Sequence, residues 1–351
     1  MPILKLRNMK KLICFLGFIT VGLLHAQSVE NPFTLNGYIN SDTGTVRLIL
    51  TGDSSNYPPI HFLTIGKVKN GQFSFNGVLS YPLSFRLLFL GNKEYVSDLF
   101  YIDVGAQTIR CHVDSMREIP DMNNATMQEL YQFKQHHYTP QTIQAYTKKH
   151  PDSYMAMWQL ARMLSFNYNP NLDTAYAYLS DAVKMSYTGA RLFEKLKAAS
   201  VLSLHHVFPN FTLLDRSNYP TKLFTHEKSN HYTLIDFWFS HCNPCIGQFP
   251  QFKQIYQQYK NVNFDMIGIS IDDNQNIVNW QKVIDEHQLP WKQLLDKNGV
   301  QANQLAIDTY PRNFLLDNNH VIIQKDMTPE ALNSFLAEKM HKQKSSFSNV
   351  P

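Results

Sequence analysis

The sequence predicts a multidomain chain with an N-terminal antiparallel β-sandwich, a central α-helical segment and a C-terminal α/β domain. Three changes of pattern along the 351 residues predict this organisation. Apolar and polar residues alternate in short runs over residues 30–116, and apolar residues recur at helical spacing over 120–205. Strand-like and helix-like segments then alternate over 207–342, and we expect residues 343–351 to form a disordered tail.

The composition is that of a globular protein and excludes one class of partner. The chain is 44% hydrophobic and 17% charged, and its formal net charge at pH 7 is only +4. No cluster of Lys and Arg occurs after the first 11 residues, so the sequence offers no basic groove for nucleic acid. We therefore expect no nucleic-acid partner.

Residues 1–26 have the pattern of a secretory signal peptide. Four basic residues between positions 5 and 11 precede an apolar run over 12–24, and Ala26 stands at the expected cleavage position. The apolar run is shorter than the roughly 20 residues that a membrane span needs. We expect an exported protein of the periplasm or cell envelope. A chain anchored in the membrane by an uncleaved N-terminus is the alternative.

Residues 30–116 are predicted to form the β-sandwich, with roughly six to eight strands. Asn70-Gly71 lies between two strand-like runs and predicts a tight hairpin, because both residue types accept positive φ. Cys111 falls in the last predicted strand, where we expect a buried core thiol. Nothing in this region predicts catalysis.

Residues 120–205 are predicted to form roughly three to five helices, as a linker subdomain or a small bundle. Tyr154, Met157, Trp158 and Ala161 recur at helical spacing, and Asn169-Pro170 breaks the pattern. Stripes of methionine and aromatic residues are usually core, so we assign no ligand to them.

The region from 207 to 342 begins with an entry strand and continues with a nearly continuous apolar run over 231–239. Such a run is typical of a central strand that is buried on both faces. The later predicted elements are a strand over 263–271, a helix over 277–287, a hairpin of 312–316 with 321–325, and a helix over 328–340. The alternation predicts a central sheet with helices on its faces.

The motif that carries chemistry is Cys242-Asn243-Pro244-Cys245, at the point where the buried strand gives way to a helix. A helix N-terminus presents free N–H groups and partial positive charge, which lower a thiol pKa from about 8.5 to roughly 3.5–7.5. Two intervening residues put both sulfurs on one turn. We expect Cys242 to be exposed and to attack, and Cys245 to resolve the mixed disulfide.

A lone Cys-x-x-Cys is ambiguous between redox chemistry and zinc binding. Zinc needs two more ligands, and the sequence has no second Cys-x-x-Cys. His241 adjoins Cys242 too closely for good tetrahedral geometry. The motif therefore favours redox chemistry.

Several ordered motifs between residues 207 and 340 match those of one protein family. They are Phe208-Pro209-Asn210-Phe211, Asp236-Phe237-Trp238 before the Cys-x-Pro-Cys motif, Phe249-Pro250, and Tyr310-Pro311. In these features the region resembles the TlpA-like branch of exported thiol–disulfide oxidoreductases, which have the thioredoxin fold. More weakly, residues 30–116 resemble a β domain of unknown function that is common in envelope proteins.

The resemblance implies roles for further residues. Asp236 would lie under the resolving thiol, with a pKa raised by burial, and would take the proton from Cys245. Pro311 would be cis and would leave the preceding backbone free to pair with an extended substrate chain. Tyr310 would contact the substrate, and Trp238 and His241 complete the predicted substrate-binding set.

Three positions depart from the family's pattern. His241 stands where tryptophan is usual, and Asn243 differs from the residue types most often seen between the cysteines. Gln248 stands where many relatives have glutamate. A cationic imidazole beside Cys242 would favour the thiolate and a more oxidising couple. The direction of electron transfer therefore stays open.

The sequence thus predicts an enzyme, a protein dithiol–disulfide oxidoreductase that exchanges the Cys242–Cys245 disulfide with partner proteins of the cell envelope. We expect no metal and no organic cofactor, and a membrane redox partner that resets the pair. One alternative is a peroxiredoxin-like peroxidase, although the proline that such enzymes place before the reactive cysteine is missing here. The other is a copper metallochaperone, with His320 as its third ligand.

Overall fold

The structure is a computed structural model that describes residues 30–91, 94–114, 118–225 and 232–347. The predicted signal peptide over 1–26 and the last four residues of the predicted tail lie outside these ranges. Among the helices within them, none has the length and apolar character that a membrane crossing requires.

Nine strands form the N-terminal sheet in the described part of residues 30–122. They are β1 (Asn31–Ile39), β2 (Thr43–Leu50), β3 (Ile65–Lys69), β4 (Gln72–Leu79), β5 (Leu83–Leu90), β6 (Glu94–Val96), β7 (Phe100–Ile102), β8 (Gly105–Cys111) and β9 (Asp121–Met122). Their order is β6-β5-β2-β3-β4-β1-β8-β9, and β7 also pairs with β5.

This sheet differs from the predicted antiparallel sandwich. The nine strands belong to one hydrogen-bonded sheet, and β1 pairs with β8 in parallel. The parallel pair joins residues that are far apart along the chain, and local alternation of apolar and polar residues carries no information on such a partner. The hairpin between β3 and β4 is confirmed, because Asn70 and Gly71 both have positive φ, of 50° and 73°.

Six helices follow in residues 118–205. They are α1 (Ala125–Phe133), α2 (Pro140–Lys149), α3 (Tyr154–Phe166), α4 (Pro170–Tyr178), α5 (Asp181–Met185) and α6 (Tyr187–Ser200). Asn124, Thr139 and Ser153 cap the first three, each accepting a hydrogen bond from a backbone N–H of the first turn. The number exceeds the prediction because helices as short as α5 hold too few residues to display a helical period.

The sheet and the helices share one hydrophobic core. Its buried residues include Leu35 and Phe85 from the sheet, and Met127, Leu160 and Leu192 from the helices. Helices of this size are stable mainly through the apolar face that they bury. Residues 30–205 therefore form one packed unit, and the prediction of a separate linker subdomain over 120–205 is wrong.

The C-terminal part contains a seven-stranded sheet in the residues that the structure describes from 207 onward. Its strands are β10 (Thr212–Leu214), β11 (Pro220–Lys222), β12 (Tyr232–Trp238), β13 (Phe264–Ser270), β14 (Lys292–Leu295), β15 (Arg312–Leu316) and β16 (Ile322–Lys325). Its helices are α7 (Asn243–Tyr259), α8 (Ile277–His287), α9 (Val300–Gln304) and α10 (Pro329–Phe347). The strand order is β11-β10-β14-β13-β12-β15-β16, and the predicted α/β domain is confirmed.

The last helix is longer than expected. The sequence predicted that the final helix ends near residue 340 and that a disordered tail begins at 343. Instead α10 continues to Phe347, so the predicted tail is wrong for residues 343–347. These residues contain neither glycine nor proline, so nothing in them stops the helix from propagating.

The central strand β12 is buried on both faces. It pairs in parallel with β13 and antiparallel with β15. Ile235 and Phe237 belong to the core on one face, and Leu234 and Trp238 belong to the core that contains the buried side of α7. Because successive side chains of a strand point to opposite faces, Asp236 lies on the same face as Leu234 and Trp238.

Trp158 provides a test of the shared core of residues 30–205. Its Nε1 donates to the Pro82 carbonyl at 2.9 Å, and its ring centroid lies 4.6 Å from that of Tyr57. We expect Trp158→Ala to lower the free energy of unfolding of this region by about 3–5 kcal/mol, since a large buried side chain is lost. Hydrogen-exchange mass spectrometry is expected to show β5 and α6 losing protection together.

The matched control is Met185→Ala, which shortens an exposed side chain on α5 and is expected to leave exchange unchanged. If Trp158→Ala loosened the helices while β5 kept its protection, sheet and helices would be separate units and the shared core would be refuted.

Candidate redox site

Cys242 and Cys245 are joined by a disulfide bond, with 5.3 Å between their Cα atoms. The sequence analysis selected the same two cysteines as the redox pair. The predicted exposure of Cys242 is wrong for this oxidised form, because the residue is only 3% exposed. Its sulfur is bonded to the sulfur of Cys245, and both residues belong to the hydrophobic core under α7. Its chain neighbours His241 and Asn243 are exposed, so the disulfide lies just beneath the surface.

The start of α7 determines the electrostatics of the pair. Cys242 is the N-cap residue, and its Sγ accepts a hydrogen bond from the Cys245 N–H at 3.3 Å. Pro244 occupies the first turn, where a missing N–H costs no helical hydrogen bond. The first turn carries no acidic side chain that would repel a thiolate. Upon reduction, the free N–H groups and partial positive charge of this 17-residue helix are placed to stabilise a Cys242 thiolate.

The loop before Cys242 is held by Asp272, a residue to which the sequence analysis gave no role. The buried Asp272 carboxylate accepts from the Ser240 N–H at 2.9 Å and from Ser240 Oγ at 2.7 Å. Ser270 Oγ donates to the same carboxylate at 2.6 Å. Ser240 Oγ in turn lies 3.1 Å from His241 Nδ1. The end of β13 therefore fixes the backbone that leads from β12 into the redox motif.

Asp236 is a titratable side chain on the face of the sheet that α7 covers. It is 2% exposed, and burial raises its pKa from 3.8 to about 8. Its Oδ1 has no hydrogen-bond partner among the described residues. The direction of this shift is the one expected for a buried carboxyl. With this pKa the carboxyl is mostly protonated at pH 7, and it lies on the same side of β12 as the core that contains Cys245.

Gln293 is a second polar residue on this face that the sequence analysis missed. Asp236 on β12 pairs with Gly268 on β13, which in turn pairs with Gln293 on β14. A Cβ at position 268 would lie 2.9 Å from Cδ and Nε2 of Gln293, so the carboxamide lies over the glycine. The carboxamide thus lies over β13, one strand spacing, about 4.8 Å, from Asp236 on β12.

The Gln293 carboxamide can form hydrogen bonds with a carboxyl in either of its protonation states. Gln293 is 6% exposed, and neither its Oε1 nor its Nε2 has a hydrogen-bond partner among the described residues. An amide donates through nitrogen and accepts through oxygen, so it is compatible with both forms of Asp236. The sequence signal was Gly268 itself, since a glycine inside a strand often marks close approach of another group.

Residues 308–312, which we call the cis-proline loop, lie at the same end of the sheet as the disulfide. The Tyr310–Pro311 peptide bond is cis, as predicted. Arg312 pairs with Phe237 across β15 and β12, so the loop adjoins the residues that follow β12. The Tyr310 ring centroid lies 5.7 Å from that of Phe239. The loop and the redox motif therefore share one edge of the sheet.

The remaining predicted substrate-binding residues divide into two groups. Trp238 is 0% exposed, and its ring packs at 5.2 Å against Phe249 of α7. Its predicted contact with substrate is wrong, because strand alternation directs it under the helix. His241 is exposed and Tyr310 is partly exposed, so for both of them contact with substrate stays a prediction.

His320 lies too far from the cysteines to act with them as a metal ligand. It ends the turn between β15 and β16, at the end of the sheet where β12 begins, whereas Cys242 follows the other end. The length of β12 separates the two by about 20 Å. The His320 ring stacks at 3.9 Å on Phe224. Within the described ranges, no three His, Cys, Asp or Glu side chains cluster in a way that would hold a metal ion.

Cys111 is a buried free thiol, as predicted from its strand position. Burial raises its pKa to about 12, so it stays protonated at neutral pH. A protonated, inaccessible thiol is a poor nucleophile. The reactive sulfur chemistry of the described residues is thus confined to Cys242 and Cys245.

Comparison with known proteins agrees with this geometry. The Redoxin family profile matches residues 205–337. The thiol-disulfide oxidoreductase ResA of Oceanobacillus iheyensis is 26% identical over 106 residues, which are 29% of this chain and 54% of that protein. The sporulation thiol-disulfide oxidoreductase A of Bacillus subtilis is 28% identical over 100 residues, which are 28% of this chain and 59% of that protein. The chain thus spans little more than half of each.

A solved structure, a thiol-disulfide oxidoreductase from Bacteroides fragilis, is 32% identical to this chain. The match covers 38% of this chain and 98% of that protein, with a TM-score of 0.34. The family profile lies within the C-terminal domain, at residues 205–337.

The buried Asp236 makes stability depend on pH. Above about pH 4 the unfolded chain loses the Asp236 proton, whereas the folded chain keeps it until about pH 8. The free energy of unfolding therefore falls through this window, by up to about 1.4 kcal/mol per pH unit. Asp236→Asn has no such proton, so we expect its stability relative to wild type to grow between pH 5 and pH 8, as measured by urea unfolding.

Asp285→Asn, at an exposed side chain on α8, serves as the control and is expected to follow the wild-type pH profile. A stability difference between Asp236→Asn and wild type that is the same at both pH values would show that the pKa of Asp236 is not raised.

Proposed function

Since its C-terminal domain belongs to the Redoxin family of thioredoxin-fold thiol–disulfide oxidoreductases, we propose that this chain exchanges its Cys242–Cys245 disulfide with partner proteins. The observation that carries the proposal is the disulfide at the N-terminus of α7. The same edge of the sheet holds the cis-proline loop, and the face under α7 holds a carboxyl with a raised pKa.

The exchange has two steps. In the reduced form, the Cys242 thiolate attacks one sulfur of a partner disulfide, and the partner's other sulfur leaves as a thiolate that takes up a proton. Cys245 then loses its proton, and its thiolate attacks Cys242 Sγ. This step forms the intramolecular disulfide and releases the partner's second sulfur. The partner gains two electrons and the Cys242–Cys245 pair loses two, and the reverse sequence oxidises a partner dithiol.

Asp236 accepts the proton that Cys245 loses in the second step. Its carboxyl is buried on the face that α7 covers, and a carboxylate there accepts the Cys245 proton as the thiolate forms. A pKa of about 8 suits this task, because the group takes up and releases a proton close to neutral pH. In the reverse direction the protonated carboxyl returns the proton to the leaving Cys245 thiolate.

The partner chain docks at the edge formed by the cis-proline loop and the redox motif. We propose that the backbone before Pro311 pairs with an extended segment of the partner, with Tyr310 and His241 beside it. The Tyr310 hydroxyl donates to the Ile307 carbonyl at 2.9 Å and fixes the ring direction. The partners are disulfide- or dithiol-containing proteins, and a membrane redox partner resets the pair after each cycle.

We also propose that the chain works in the periplasm or cell envelope after export. The support is the signal-peptide pattern of residues 1–26. If this segment is not cleaved, it would anchor the exported enzyme in the membrane that it crosses. Disulfide exchange fits this location, because disulfides persist outside the cytosol. The mass of the N-terminal peptide of the secreted chain tests cleavage after Ala26.

Substitution of each cysteine separates the two chemical roles. We expect Cys242→Ser to reduce catalysed insulin reduction to the uncatalysed rate, because the attacking sulfur is gone. We expect Cys245→Ser to accumulate a mixed disulfide between Cys242 and the substrate, because nothing resolves it. Turbidity of reduced insulin measures the first effect, and non-reducing electrophoresis with mass spectrometry measures the second.

Cys111→Ala is the matched control and is expected to keep turnover, since that thiol is buried and protonated. Full turnover by Cys242→Ser, or a mixed disulfide on Cys111, would refute the assignment of the redox pair.

A further inference from the structure

The C-terminal end of α3 is bound by the cis-proline loop. The last four carbonyls of a helix have no partner inside the helix. In α3 the Ser165 carbonyl accepts from Thr309 Oγ1 at 2.9 Å, and the Phe166 carbonyl accepts from Arg312 Nη2 at 2.7 Å. Two residues of the loop therefore complete the hydrogen bonding of a helix from the other structural unit.

Arg312 is the central cation of this contact. It is only 9% exposed, so its charge depends on its hydrogen-bond partners. Besides the Phe166 carbonyl, its guanidinium donates to Thr309 Oγ1 at 2.7 Å and to Asp326 Oδ2 at 3.0 Å. A cation at a helix C-terminus is also stabilised by the partial negative charge there. Movement of α3 away from the loop would leave this charge poorly satisfied.

Lys195 on α6 binds the beginning of the same loop. Its Nζ lies 3.8 Å from Asp308 Oδ2 and also forms an ion pair with Asp53, which follows β2 in the N-terminal unit. The Lys195 side chain is largely buried, so solvent screens these contacts less than at the surface. The loop is thus held at both ends, at Asp308 by α6 and at Arg312 by α3.

The helix that holds the loop is itself fixed to the N-terminal sheet. Met155, Ala156 and Met157 of α3 are fully buried in the shared core. Trp158 of the same helix hydrogen-bonds the Pro82 carbonyl between β4 and β5. The position of the cis-proline loop therefore depends on the packing of residues 30–205, and not on the C-terminal domain alone.

We propose that residues 30–205 position the cis-proline loop and thereby set the affinity for the partner protein. This inference rests on the proposed function, in which that loop binds the partner chain. The clamp, which we define as Lys195, Thr309 and Arg312 with their partners, contacts neither cysteine. Loosening it alters how a protein substrate docks, whereas the reactivity of the disulfide toward a small molecule stays the same.

Lys195→Met tests the clamp from the side of the N-terminal unit. We expect KM for insulin, with dithiothreitol as reductant, to rise about three- to tenfold, the effect of losing one polar contact of a largely buried lysine. We expect unchanged kcat for insulin, unchanged turnover of oxidised glutathione and an unchanged redox potential. Amides of residues 308–312 are expected to exchange hydrogen faster. Lys197→Met, an exposed residue of the same helix, is the control and is expected to behave as wild type.

Thr309→Val tests the clamp from the loop and keeps the side-chain shape while removing the hydroxyl. We expect the same rise in KM for insulin, and we expect Thr309→Ser, which restores the hydroxyl, to recover the wild-type value. An unchanged KM in Lys195→Met would overturn the inference even if Thr309→Val raised KM, because Thr309 itself lies in the loop that binds the partner. An equal loss of activity toward insulin and glutathione would also overturn it, since this indicates general damage to the domain.

These outcomes are distinct from failure of the proposed function. If the wild-type chain reduced neither insulin nor glutathione, the proposed oxidoreductase function would be refuted. That result would not depend on any measurement of a clamp variant.

Discussion

The position of β12 between β13 and β15 is the constraint on which the whole site depends. Its parallel pairing with β13 carries the chain to the edge where α7 begins with Cys242. Its antiparallel pairing with β15 brings the cis-proline loop to the same edge. Alternation along the strand then directs Asp236 under α7. A slip of one residue in register would turn Asp236 to the opposite face, so hydrophobic packing on both faces also fixes the chemistry.

The burial of Asp236 destabilises the fold at neutral pH, and the proposed reaction uses the raised pKa that results from this burial. A carboxyl with a pKa near 8 is destabilising at neutral pH, and such groups persist where a function needs them. The neighbouring strands support this interpretation, because Gly268 on β13 leaves room for the Gln293 carboxamide from β14. Asp236 and Gln293 both have buried polar atoms without a hydrogen-bond partner in the part of the chain that the structure describes. The sheet thus provides a polar patch inside an otherwise apolar core, on the side that α7 covers.

The sequence predicted those parts of the site that depend on local pattern. The Cys-x-x-Cys motif, the hairpin at Asn70-Gly71 and the cis bond before Pro311 could all be anticipated from a few adjacent residues or from the family resemblance. Partnerships between distant segments could not, because they depend on register. Examples are the parallel pairing of β1 with β8, the hydrogen bonds from Ser240 to Asp272, and the row of paired residues that runs from Asp236 to Gln293. The clamp that α3 and α6 place on the cis-proline loop belongs with them.

The central claim is that Cys242 and Cys245 open and close as one pair. Equilibration of the full chain with graded ratios of reduced to oxidised glutathione, followed by acid quenching, alkylation and mass spectrometry, measures this directly. We expect both cysteines to gain label together in one two-electron transition, while the labelling of Cys111 stays the same at every ratio. A pair that stays closed at every ratio, or label on only one of the two cysteines, would contradict the claim.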